Sequence, residues 1–148
     1  MPASLIDTNI WLARTFPTHP LHAESKHVIA EIGQDAQAMF CRSTQQSYLR
    51  LLTTSNIFRH YGLEAMTNRL AIEAYATLCK LPGVGFQPEP AGIEPQWHKL
   101  AKLDTPSPKV WMDAYLAAFA IQAGLQFVTN DRDFRRFVDY GLRLRLLG

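Results

Sequence analysis

The 148-residue chain is 47% hydrophobic, which is enough for one domain with one principal core and leaves little room for a second. A net charge of +2 excludes a strongly basic nucleic-acid coat while leaving an anionic partner open. Two cysteines without metal-ligand spacing, and no apolar run near the ~20 residues of a membrane span, point to a soluble protein of a reducing cytoplasm.

Ala3 to Ile6 reads as a short strand that ends directly in Asp7-Thr8-Asn9. Ile10 to Thr15 continues as a short helix broken by Pro17 and Pro20, and Leu21 to Ile32 resumes as an amphipathic helix that Gly33 is expected to stop. Ala38 to Cys41 is a second strand. Ser43 or Thr44 then caps a helix from Gln45 to Leu52, with Tyr48, Leu49 and Leu52 toward the core and Arg50 away from it. Thr53 to Arg59 reads as a connection, and a long helical pattern from about Leu63 to Cys79 stops before Leu81-Pro82-Gly83.

Val84 to Gln87 is a third strand, Pro88 to Pro95 a proline-rich loop and Gln96 to Lys102 a short helix. Ser107 caps and Pro108 starts the next helix, which runs to Ala123 with Gly124 as its C-cap. On that helix Leu116, Ala117, Ala120 and Ile121 follow Asp113 at helical spacing, so an apolar face begins with a carboxylate. Leu125 to Thr129 is a buried strand followed at once by Asp131 and Asp133. Phe134 to Val138 suggests a helical turn, and Leu142 to Leu146 alternates leucine with arginine like an edge strand.

Strands separated by helical segments indicate parallel pairing with right-handed crossovers: a three-layer α/β/α sandwich around a central parallel sheet of four or five strands, spanning residues 1–148 as one domain. Ligands of such sheets bind beyond the carboxyl ends of the strands. A helix from Asp113 to Ala123 is about 16 Å long and five strand residues span about 17 Å, so the chain returns to the level of Asp113 as the strand ends. Asp113 is thus brought beside Asp131, with Asp133 close by and Asp7 at a neighbouring strand end.

Carboxylates about 4 Å apart repel by ~4 kcal/mol at an effective dielectric near 20, so such a cluster protonates or binds a cation. Oxygen-only donors favour Mg²⁺ or Mn²⁺ over zinc, and such a site suits phosphodiester hydrolysis. An aspartate after a strand also serves as a plain cap or turn former, which fits Asp7, Asp131 and Asp133 individually. Asp113 lies too deep in its helix to be a cap. The five histidines lack paired ligand spacing, and Trp11, Trp97 and Trp111 read as core or rim packing. Arg132, Arg135, Arg136, Arg143 and Arg145 fit either a phosphate backbone or a solvated face.

The motifs Leu5 to Ile10 (LIDTNI), Asp113 to Ala118 (DAYLAA) and Val128 to Phe134 (VTNDRDF) resemble the three acidic motifs of PIN-domain ribonucleases, and more narrowly of VapC toxins of type II toxin–antitoxin pairs. The resemblance covers essentially the whole chain. It implies Mg²⁺- or Mn²⁺-dependent endonucleolytic cleavage of RNA, often tRNA or ribosomal RNA, a VapB-like antitoxin and toxin homodimers. It also implies Asp7, Asp113 and Asp131 as metal ligands, Asp133 as an auxiliary acid, and Asn9 and Thr129 as orienting polar groups. The glutamate usual in the helix after the second strand is missing: alignment places Ser47 there, flanked by Gln45 and Gln46, and no acid occurs between Asp35 and Glu64. Gln46 or water is then expected to fill that corner. The alternative is a degenerate PIN module that binds RNA or a protein without cutting. An aspartyl-phosphate phosphatase is disfavoured because Asp7-Thr8-Asn9 lacks a second acid two residues on.

Overall fold

A computed structural model describes residues 2–60 and 64–148. Five strands, β1 (Ser4–Ile6), β2 (Ala38–Phe40), β3 (Val84–Phe86), β4 (Gln126–Thr129) and β5 (Arg143–Leu146), form one sheet in the order β3-β2-β1-β4-β5. Every pairing is parallel, with Leu5 set between Met39 and Phe127. The chain steps outward from β1 through β2 to β3 and then returns to the far side of β1, so the direction of winding reverses between β1 and β4. A crevice opens at the carboxyl ends of strands where such a reversal occurs.

Around the sheet lie α1 (Thr8–Thr15), α2 (His22–Asp35), α3 (Arg42–Leu52), α4 (Ser55–His60), α5 (Asn68–Cys79), α6 (Ile93–Ala101), α7 (Pro108–Ala123) and a 3-10 helix (Arg132–Tyr140). Because strand side chains alternate, Ile6 and Val128 point into one core with Trp11, Phe40 and Tyr48, while Leu5 and Phe127 point into the other with α7. The Trp11 and Phe40 rings stack with centroids 4.1 Å apart. The sandwich expected from the alternation of elements is therefore present, with five strands, and helices cover both faces as a parallel sheet requires.

Several boundaries differ from the sequence reading. Gly33 does not stop α2, which runs through it to Asp35. The glycine is needed because a Cβ there would stand 2.1 Å from the Pro82 carbonyl oxygen. α3 begins at Arg42, one turn earlier than expected, where the Cys41 N–H donates to Thr44 Oγ1 at 2.9 Å. Ser55–His60 is helical rather than a plain connection. α5 starts at Asn68, where the Thr67 side chain accepts the Leu70 N–H; residues 64–67 are not helical, and Leu63 lies outside the described residues. α6 starts at Ile93, because Pro95 falls in its first turn, where no intrahelical N–H is required.

An acid-lined cavity at the crevice

Asp7 follows β1 directly, and its backbone N–H extends the ladder by donating to the Val128 carbonyl at 2.9 Å. Its side chain caps α1, accepting the Thr8 N–H at Oδ1 (2.8 Å). Oδ2 accepts Thr129 Oγ1–H at 2.6 Å and Asn9 Nδ2–H at 3.3 Å. Thr129 is the last residue of β4, so one hydroxyl ties the two strand ends together, and it also accepts the Asp131 N–H at 3.0 Å. Asn9 and Thr129, expected to orient ligands or substrate, hydrogen-bond the Asp7 carboxylate itself. Asp131 in turn caps the 3-10 helix by accepting the Asp133 N–H at 2.9 Å. Both strand-end aspartates are thus caps in addition to whatever else they do.

Asp113 enters from α7. The buried residues of that helix are Val110, Ala114, Ala117, Ala118, Phe119 and Ala120, with Leu116 and Ile121 only partly covered, so the carboxylate stands at the margin of the apolar face. Asp7, Asp113 and Asp131 line one cavity of about 430 Å³, shared with Asn9, Lys109 and Arg50. The return of the chain from Asp113 to Asp131 therefore occurs as the element lengths require. Asp133 is outside the lining but joined to it through Lys109, whose Nζ lies 3.0 Å from Asp131 Oδ2, 3.0 Å from Asp133 Oδ2 and 3.5 Å from Asp113 Oδ2.

Electrostatics separates these acids. Burial pushes the Asp7 carboxyl up to about 6 against the pull of its Thr129 and Thr8 hydrogen bonds, and the charges of Asp113 and Asp131 add to the rise. Asp113 is also raised by burial, with Lys109 opposing. Asp133, exposed, is held below its ordinary value by Lys109. The cluster is thus short of positive charge on its buried side, a shortage that a cation relieves.

The wall supplied by α3 carries Ser43, Ser47 and Arg50. Residues i and i+4 share a helical face, which puts Ser43 and Ser47 toward the cavity while Gln46 is exposed and does not line it. Gln45 instead accepts a hydrogen bond from Arg42. The corner that lacks a glutamate is therefore edged by two hydroxyls and a guanidinium. Ser47 is the residue that the resemblance placed at the missing glutamate, Ser43 was expected only as a cap, and Lys109 was not singled out in the sequence. The signal that could have found Lys109 is its i, i+4 relation to Asp113.

The donor set fits a hard divalent cation: carboxylate, amide and hydroxyl oxygens, with no thiol or imidazole on the lining. Among the described residues, no three His, Cys, Asp or Glu side chains form a ready-made metal cage. An ammonium stands against the acids, at hydrogen-bonding distance from two of them.

Comparison with known proteins gives a consistent result. The PIN domain family matches residues 4–139. Ribonuclease VapC41 of Mycobacterium tuberculosis, in two strains, is 44% identical over 144 residues, 97% of each chain. Among solved structures, VapBC2 from Rickettsia felis bound to a promoter DNA fragment aligns with a TM-score of 0.69 at 12% identity, over 97% of this chain and 98% of that one. The sarcin-ricin-loop-cleaving toxin VapC20 of Mycobacterium tuberculosis aligns with a TM-score of 0.61 at 22% identity, over 95% and 96%.

Proposed function

The chain belongs to the PIN-domain family and to its VapC-type ribonucleases, and from that premise we propose that its acid-lined cavity hydrolyses RNA phosphodiester bonds with Mg²⁺ or Mn²⁺, as the toxin of a toxin–antitoxin pair. The observation that carries the reading is the convergence of Asp7, Asp113 and Asp131, from three elements far apart in sequence, on one cavity at the sheet's reversal point.

Asp7, Asp113 and Asp131 are the residues that would hold the ion, with Asp133 as an auxiliary acid at the rim. When bound, the ion supplies charge against a phosphate oxygen and acidifies an attacking water. The rest of the work belongs to the chain. Thr129, Thr8 and Asn9 fix the Asp7 carboxylate in one orientation, so no reorganisation is needed as charge develops. Arg50 and Lys109 border the cavity and offer cations to the RNA backbone, while Ser43 and Ser47 offer hydroxyls. Such phosphate contacts position a substrate without reading its sequence.

The proposed partners are an RNA substrate, a VapB-like antitoxin and a second copy of the toxin. Among the described residues no helix is long and apolar enough to cross a membrane.

Induction of the chain without an antitoxin should arrest growth, and the purified protein with Mn²⁺ should cut total RNA at discrete positions. Asp113→Asn should abolish both while leaving the circular dichroism spectrum unchanged. Equal cleavage by the folded variant would refute the assignment. Metal-independent RNA binding without cleavage would favour the non-cutting module instead.

A further inference from the structure

Lys109 occupies the first turn of α7, four residues before Asp113. A cation at a helix N-terminus opposes the helix dipole, so this lysine is seated against the local field and needs an external reason to stay. That reason is the acid cluster: Nζ meets Oδ2 of Asp131 at 3.0 Å, of Asp133 at 3.0 Å and of Asp113 at 3.5 Å. An ammonium is a compact charge with three donors, and here three carboxylates surround it. Two of those carboxylates, Asp113 and Asp131, are the ones assigned above to the metal.

The two cations cannot share these oxygens. A divalent ion at ~2.1 Å from the Asp131 and Asp113 oxygens stands within a few ångströms of an ammonium bonded to the same atoms, and the repulsion is twice that of two unit charges. The lysine side chain is 62% exposed, against 16% for Asp113 and 28% for Asp131, so the ammonium enters from the solvent side and its departure opens no gap in the core.

We propose that the Lys109 ammonium is the resident counter-ion of the acid cluster in the metal-free protein, and that a divalent cation binds by displacing it. Lys109 is then a positioning residue that sets the metal affinity of the site. The proposal rests on the metal-centre reading above. In the metal-free protein the lysine holds Asp113, Asp131 and Asp133 around one point, so the acids stay gathered. Exchange of the ammonium for the ion converts the same arrangement into the working site.

Calorimetric titration of the full chain with Mn²⁺ at low ionic strength tests the idea, using wild type, Lys109→Met, Lys109→Arg and Asp113→Asn. Lys109→Met should bind about tenfold more tightly than wild type, as expected for removal of one competing ion pair, and Lys109→Arg should stay near wild type. Displacement is read directly from the side-chain Hε–Nζ correlations of the five lysines in isotope-labelled wild type. The Lys109 signal, assigned by its absence in Lys109→Arg, should move toward the positions of the solvated lysines as Mg²⁺ is added, with the calorimetric midpoint. Equal or weaker Mn²⁺ affinity in Lys109→Met overturns the proposal, as does a Lys109 signal unmoved at saturating Mg²⁺. Absence of binding in both wild type and Lys109→Met at millimolar Mn²⁺ overturns the metal-centre reading as well, whereas equal binding by the two overturns only the displacement.

Discussion

Asp7 shows how one residue carries a structural and a chemical role with opposite demands. As a cap it accepts the Thr8 N–H, and as a cavity acid it is 8% exposed beside Asp113 and Asp131. The cap favours the ionised form, yet burial outweighs it and holds the folded-state carboxyl at about 6 against an ordinary 3.8. The folded state therefore binds the proton more tightly than the unfolded chain. Its contribution to stability is fully present below pH 3.8 and is lost as pH rises through about 6, with a total near 3 kcal/mol for a shift of about two units. Asp7→Asn cannot ionise, and its single oxygen accepts from Thr8 or from Thr129 but not from both, a loss that does not vary with pH. In chelator, urea unfolding should show the stability difference moving in favour of Asp7→Asn between pH 4 and pH 8, by roughly 1–3 kcal/mol. A gap that does not change with pH would show that the buried charge is compensated.

At the scale of elements, helix α2 and the turn before β3 depend on one close approach. A Cβ on Gly33 would stand 2.1 Å from the Pro82 oxygen, and Gly83, at φ +73°, faces Gly33 from the other side. Alanine normally stabilises a helix interior by ~1 kcal/mol relative to glycine. Gly33→Ala should reverse that sign and destabilise by ~1–3 kcal/mol, as overpacking against backbone does, measured as a lower denaturant midpoint. The same glycine explains one limit of the sequence reading, since it resembles a helix stop when its partner turn is 49 residues away. β1, β2 and β4 were legible from their apolar runs, and α7 from its apolar pattern between Pro108 and the left-handed Gly124, although Ser107, expected to cap it, pairs with Thr105 instead. α4 was not, since six residues are too few for a period, and Pro95 hid the start of α6 because a proline in the first turn resembles a break. At the site, the meeting of Asp113 with Asp131 followed from element lengths, and the nearness of Asp7 from its place at a parallel strand end. The α3 wall was legible only in part: the resemblance placed Ser47 at the corner lacking a glutamate, but Gln46, expected as a neutral ligand, points away, and Ser43 one turn earlier joins Ser47 at the cavity.

At the scale of the whole molecule, the cavity acids come from three separate stretches of the chain that the sheet brings together. Asp7 lies between β1 and α1, Asp113 within α7, and Asp131 just after β4, and the two cores lie on opposite faces of the sheet. A metal held by all three links the winding reversal from both sides and has no comparable site in the unfolded chain. Linkage then stabilises the fold by about 2.7 kcal/mol at a hundredfold excess over Kd. For a chain of this size each kcal/mol raises Tm by roughly 2–4 °C, so saturating Mn²⁺ should raise it by roughly 5–10 °C. Asp113→Asn should lose most of that shift while unfolding in a single transition, because it removes a proposed ligand and leaves the apolar stripe of α7 intact. The direction of the baseline change distinguishes the role of Asp113 from that of a core residue. A half-buried carboxylate whose pKa is raised by burial costs stability when ionised, so the metal-free variant should melt no lower than wild type. If Asp113→Asn instead melts well below wild type in chelator and still gains the full Mn²⁺ shift, the aspartate is a structural partner of Lys109 and the ion binds elsewhere.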